Sequence, residues 1–197
     1  ANVLLCCRRF QEEAKMRQIR LVACVIGLLA VMVANVALAQ GPPPMPKAGA
    51  EQQRLHYFAG QWKNEGDMKS GPFGPGGKFS SMDEAHMLGD FYLVTHSKGT
   101  GPMGPMTEVA IIGYDAKQKA YTYDAFNSMG QHTRSTGNPS GKTWTWTSDE
   151  DMGGKVMKMK FVLNEVSATS YTYKLDMSTD NGKTWANMFE GKATKVK

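Results

Sequence analysis

Residues 106–129 read MTEVAIIGYDAKQKAYTYDAFNSM, and the reading of this stretch decides the fold. Thr107 to Tyr114 and Ala120 to Ser128 are rich in β-branched and aromatic residues. The intervening Asp115-Ala116-Lys117-Gln118-Lys119 is short and polar, which predicts a β-hairpin with a five-residue loop. A lone hairpin cannot bury its apolar side chains, so it needs neighbours of the same kind.

The chain supplies them downstream and upstream. A first strand opens at Gly60-Gln61-Trp62, and further candidates run over 78–87, 91–98, 107–114, 120–128, 131–137, 143–148, 155–163, 170–177 and 185–195. Gly, Pro, Asn and Asp separate most of them. Alternation is strongest in Thr143-Trp144-Thr145-Trp146-Thr147, in Met157, Met159, Phe161 and Leu163 against Lys158 and Lys160, and in Tyr171, Tyr173, Leu175 and Met177 against Thr172, Lys174 and Asp176. The bulky set belongs inside and the lysines on a solvated face.

The expectation is an all-β, up-and-down antiparallel barrel of eight to ten strands, with a short helix over Ala50 to Ala59 closing one end. A β-sandwich is the structural alternative. Alternate connections collect at one end of such a barrel. The looser Gly- and Pro-containing loops fall together there, so Phe73, Met103, Met106, Met129 and Met152 are expected around a mouth.

Ahead of the barrel, Met16-Arg17-Gln18-Ile19-Arg20, the apolar run from Leu21 to Val33 and Ala37-Leu38-Ala39 have the three parts of a secretory signal peptide. The run is short of the roughly 20 residues of a membrane span. The division is therefore 1–15 as an upstream extension, 16–39 as a signal peptide or, if uncleaved, a membrane helix, 40–49 as a proline-rich linker and 50–197 as the barrel domain. Periplasmic or secreted location follows, with no stable membrane span once the signal is removed. Cys6, Cys7 and Cys24 all precede the cleavage point, so the mature chain has no thiol chemistry. Removing five basic and two acidic residues with 1–39 takes the net charge from +5 to +2, which argues against nucleic acid as a partner. Oligomeric state is not legible.

Gly60-x-Trp62 after a short helix, leading into a meander of strands, resembles the start of lipocalins and related calycin barrels. Leu88-Gly89-Asp90-Phe91, Gly113-Tyr114-Asp115, Tyr121 and Ser128-Met129-Gly130 resemble the bacterial family called domain of unknown function 1579, over roughly Leu55 to Thr194. The resemblance implies a lipocalin-like barrel and brings no ligand or active site with it. The chain departs from the family pattern at Ala125, where a bulky aromatic is usual, and this bears on the size of any pocket.

The function expected is binding of a small apolar or amphipathic molecule in the barrel. Candidate ligand-binding residues are Trp62, Tyr123, Trp144, Trp146, Met157, Met159, Phe161, Tyr171 and Tyr173, with His96 and Arg134 as polar groups fixing the ligand. No catalytic residue, metal ligand or cofactor is assigned. His56, His86, His96 and His132 show no metal-ligand spacing; His96 or His132 could hold haem as an axial ligand. Glu84, Asp124, Glu108 and Asp83 could pair for acid/base work in a hydrolase or isomerase of small metabolites, although nothing in the sequence fixes their separation. A protein-interaction module is a third reading. The methionines suit a core or an adaptable mouth better than Cu(I). Ser178-x-Asp180-x-Gly182-x-Thr184-Trp185 matches the Asp-box pattern, read as a structural hairpin.

Overall fold

The structure is a computed structural model that describes residues 16–17, 45–71 and 74–196. The chain divides into residues 1–46 and 47–197. The extension, nearly all of the signal segment, and Phe73 lie outside the described residues.

Ten antiparallel strands form a closed barrel, each paired with its neighbours in the chain and the last paired with the first. They are β1 (Gly60–Met68), β2 (Gly77–Leu88), β3 (Tyr92–Gly101), β4 (Gly104–Asp115), β5 (Ala120–Asn127), β6 (His132–Ser140), β7 (Thr143–Asp151), β8 (Val156–Ser167), β9 (Ser170–Ser178) and β10 (Ala186–Lys195). Closure leaves no free sheet edge, so the β-sandwich alternative is excluded. The strands are longer than the sequence expectation at several ends. β6 runs through Pro139, which pairs with Trp144, and β8 continues to Ser167. Pairing around a closed circuit carries residues of low strand propensity into the ladder, because leaving it costs hydrogen bonds.

The helix expected over Ala50 to Ala59 is α1 (Ala50–Arg54) followed by a 3₁₀ turn, Leu55–Phe58. Leu55 and Phe58 are buried and plug the barrel end. Phe58 packs edge-on against Trp144 and Tyr171, and Trp62 against Tyr171. Burying side chains of this size stabilises by about 1.5–3 kcal/mol each.

Polar atoms of the plug are matched as well. Trp62 Nε1 donates to the Phe58 carbonyl at 2.7 Å, the Tyr121 hydroxyl to the Glu51 carbonyl at 2.9 Å, and the Tyr57 hydroxyl to the carbonyls of Ser167 and Ser170 at 2.7 and 3.0 Å. Arg54 donates to the Gly141 carbonyl at 2.8 Å and lies over the Trp144 ring. The helix end is therefore a floor. The opposite end carries the β1–β2, β3–β4, β5–β6, β7–β8 and β9–β10 loops. Met103, Met106 and Met129 are exposed there, as the loop arithmetic expects.

The β9–β10 loop is the Asp-box hairpin. Asp180 takes the Thr184 amide at 2.8 Å and the Thr184 hydroxyl at 2.7 Å, while Ser178 Oγ accepts from the Gly182 amide at 2.8 Å. These contacts hold Asn181 and Gly182 at positive φ, and the motif is a structural turn.

Candidate functional site

Above the floor, the inward side chains divide by strand. Alternate residues of β7, β8 and β9 put Trp146, Phe161 and Tyr173 into the lumen, where with Tyr123 of β5 they form a connected set of rings about 6 Å apart. On the facing wall the residues are small. Ala85, Thr95, Ala110, Ala125 and Thr133 are successive register partners from β2 to β6, and they give the large rings room. Ala125 is part of this row.

The polar side chains lie between this row and the mouth. Asp83 of β2 pairs in register with Ser97 of β3, and Ser97 with Glu108 of β4, so both carboxylates point inward on either side of Ser97. Two strand spacings separate their Cα atoms, about 10 Å. Ser81 Oγ donates to Asp83 Oδ1 at 3.2 Å, and the Tyr123 hydroxyl to Glu108 Oε1 at 3.4 Å. Asp83, Ser97, Glu108, Tyr123 and Phe161 all point inward and are half-buried.

Burial raises both acids above their ordinary pKa. For Asp83, hydrogen bonds from Ser97, Asn64 and Ser81 offset part of the rise; for Glu108, Tyr123 offsets part of it and the Asp83 charge adds to it. Among the described residues no Lys, Arg or His forms an ion pair with either carboxylate. Burial likewise pushes the hydroxyls of Tyr123, Tyr171 and Tyr173 upward, with Asp83 adding to each. One further buried donor, Trp146 Nε1, has no hydrogen-bond partner. An orphaned buried donor costs about 1–3 kcal/mol.

Of the residues singled out from the sequence, Tyr123, Trp146, Phe161 and Tyr173 meet in the lumen. Trp62, Trp144 and Tyr171 belong mostly to the floor. Met157 and Met159 also face inward, on the same side of β8 as Phe161, and Met159 packs with Met177 and Met188 in a second cluster joined by Met157. His96 and Arg134 do not face the lumen. Their neighbours Thr95, Ser97, Thr133 and Ser135 point inward, so strand alternation turns His96 and Arg134 outward, where the Arg134 side chain is 70% exposed and pairs with Asp124 at 2.9 Å. His132 also lies outside, stacked on Phe126, and all four histidines are exposed, which removes the axial haem reading. Glu84 and Asp124 point outward too, leaving Asp83 and Glu108 as the interior acids. A groove of about 540 Å³ along Glu65–Asp67, Lys78–Ser80 and Thr100–Gly101 lies apart from them and carries neither acid.

A profile of the family described as "Protein of unknown function (DUF1579)" matches residues 47–195, and the chain belongs to that family. Comparison with curated proteins returns no match. Among solved structures, Rv2717c from M. tuberculosis is similar over 77% of this chain and 100% of its own, with 11% identity and a TM-score of 0.55. An S-type phycobiliprotein lyase from Guillardia theta is similar over 77% of this chain and 99% of its own, at 10% identity and a TM-score of 0.48. A de novo designed fluorescence-activating β-barrel is similar over 73% and 98%, at 13% identity and a TM-score of 0.43. At such identities the likeness to Rv2717c bears on the fold alone.

Proposed function

We propose that this protein is an extracytoplasmic binder of a small amphipathic molecule, held in the lumen above the plug. The observation that carries the reading is the Trp146 indole, a buried N–H without a partner on an inward residue whose ring neighbours are Tyr123 and Phe161. A core built only for stability would match or omit that donor. A ligand with one acceptor and an apolar body would satisfy it, and apolar pockets with a few polar groups are the usual form of such sites. The extracytoplasmic part rests on the signal-peptide pattern of 16–39. Native mass spectrometry of the protein purified from its own host, with displacement of a fluorescent apolar dye by the extracted molecule, tests the reading. Recovery of a stoichiometric small molecule supports it; a bare chain that binds no dye contradicts it.

A second reading is a hydrolase or isomerase of a small metabolite in the same chamber. Its support is the inward pair Asp83 and Glu108, which flank Ser97 and are both raised above their ordinary pKa by burial, as groups used in acid/base catalysis often are. Conversion of the extracted molecule by wild type, lost in Asp83→Asn while binding persists, would favour this reading over simple binding.

A further inference from the structure

The polar half of the lumen is unbalanced in charge. It holds two carboxylates and three tyrosine hydroxyls, from Tyr123, Tyr171 and Tyr173, and among the described residues no cation pairs with either acid. The tyrosine on one side donates to Glu108, and that same ring joins Trp146 and Phe161. Aromatic faces attract cations and offer little to anions. One donor nearby, Trp146 Nε1, is unpartnered, and Trp146 is more than nine-tenths buried.

Resting on the binding reading above, we infer that the ligand carries a protonated amine. Its ammonium sits between Asp83 and Glu108, its apolar body lies against Tyr123, Trp146 and Phe161, and a hydroxyl, carbonyl or ether oxygen takes the Trp146 N–H. An anion would enter against two acids. A neutral molecule would leave both acids buried without a counter-charge, which an ammonium supplies together with up to three hydrogen-bond donors. A divalent metal ion fits less well. It wants six or more oxygen ligands, and among the described residues no group of three or more His, Cys, Asp or Glu side chains is assembled.

Three probes of one shape separate the alternatives: 5-methoxytryptamine, a cation; 5-methoxytryptophol, its neutral alcohol; and 5-methoxyindole-3-acetate, an anion. Each carries the same ring and ether acceptor. Titration calorimetry of the full chain at pH 8 is expected to show the amine binding at least about tenfold more tightly than the alcohol, the ratio worth 1.4 kcal/mol, with the carboxylate weakest. Asp83→Asn and Glu108→Gln should each shrink that preference, while Glu84→Gln on the outer face should keep it. Circular dichroism confirms that the variants are folded, and the wild-type comparison of the three probes stands without them. An alcohol that binds as well as the amine overturns the charge inference and leaves the binding reading intact. No binding by any of the three, together with no binding of the apolar dye, overturns both.

Discussion

Tyr123 of β5 reaches along the lumen wall to Glu108 of β4, its hydroxyl donating to Oε1 over 3.4 Å. This contact joins the aromatic half of the chamber to the acidic half. In Tyr123→Phe the carboxylate loses the hydrogen bond that holds its pKa down, so the pKa of Glu108 should rise further. Carboxyl ¹³C NMR titration measures it, and the loss of stability should be about 1 kcal/mol. An unchanged Glu108 titration would mean that this contact has no part in the charge balance.

The interior acids set a direction for stability against pH. Asp83 and Glu108 titrate from ordinary values of 3.8 and 4.5, and burial raises both in the folded state. The folded state then holds more protons than the unfolded one between the ordinary and raised values. Their contribution is fully present below the ordinary values and is lost as pH rises through the raised ones. The ionisable groups facing this region are Asp83 of β2, Glu108 of β4, Tyr123 of β5, and Tyr171 and Tyr173 of β9; the tyrosines stay neutral across the window. Urea unfolding at stepped pH should therefore show stability falling with pH through that window in wild type. The Asp83→Asn, Glu108→Gln double variant should lose that fall, and a slope retained by the double variant would place the titration elsewhere.

The floor should be the strongest part of the barrel. Phe58→Ala removes a buried ring packed on Trp144 and Tyr171 and should cost about 3–5 kcal/mol. Tyr57→Phe deletes the single hydroxyl donor shared by the Ser167 and Ser170 carbonyls at the β8–β9 turn and should cost about 1–3 kcal/mol. Equilibrium urea denaturation measures both. Losses within experimental error would mean that the helix only rests on the barrel.

Asp180 has the opposite pH sign to the lumen acids. Hydrogen bonds from the Thr184 amide and hydroxyl hold its pKa down at about 2, so its contribution is present above the ordinary 3.8 and lost as pH falls through about 2. Asp180→Ala should speed amide exchange at Gly182 and Thr184 and leave probe binding unchanged. An effect on binding would make this hairpin part of the site.

Much of the barrel was legible because alternation in β7, β8 and β9 is strong. Trp144, Trp146, Phe161, Leu163, Tyr171 and Tyr173 sit inward as their spacing requires. The acidic half was not, because β2 reverses the usual pattern. Ser81 and Asp83 point in while Met82 and His86 are exposed, so hydrophobicity gives no clue to its faces. His96 and Arg134 failed for a related reason, since a one-residue difference in parity moves a side chain from lumen to solvent. The juxtaposition of Asp83 with Glu108 depends on two hairpin registers meeting at Ser97, which spacing along the chain does not encode. Met157 and Met159 keep the inward parity that their spacing requires, and the packing of Met159 with Met177 and Met188 comes from the register of neighbouring strands.

The chain has four tryptophans, and three of their indoles already have partners: Trp62 on Phe58, Trp144 on Glu165 and Trp185 on Gly182. Trp146 alone among them has none. Indole ¹H–¹⁵N NMR during titration with 5-methoxytryptamine is the most direct test of a ligand-holding lumen. The Trp146 resonance should move downfield and saturate while the other three hold still; a Trp146 signal that stays put at saturating probe, or four signals drifting together, would contradict the account.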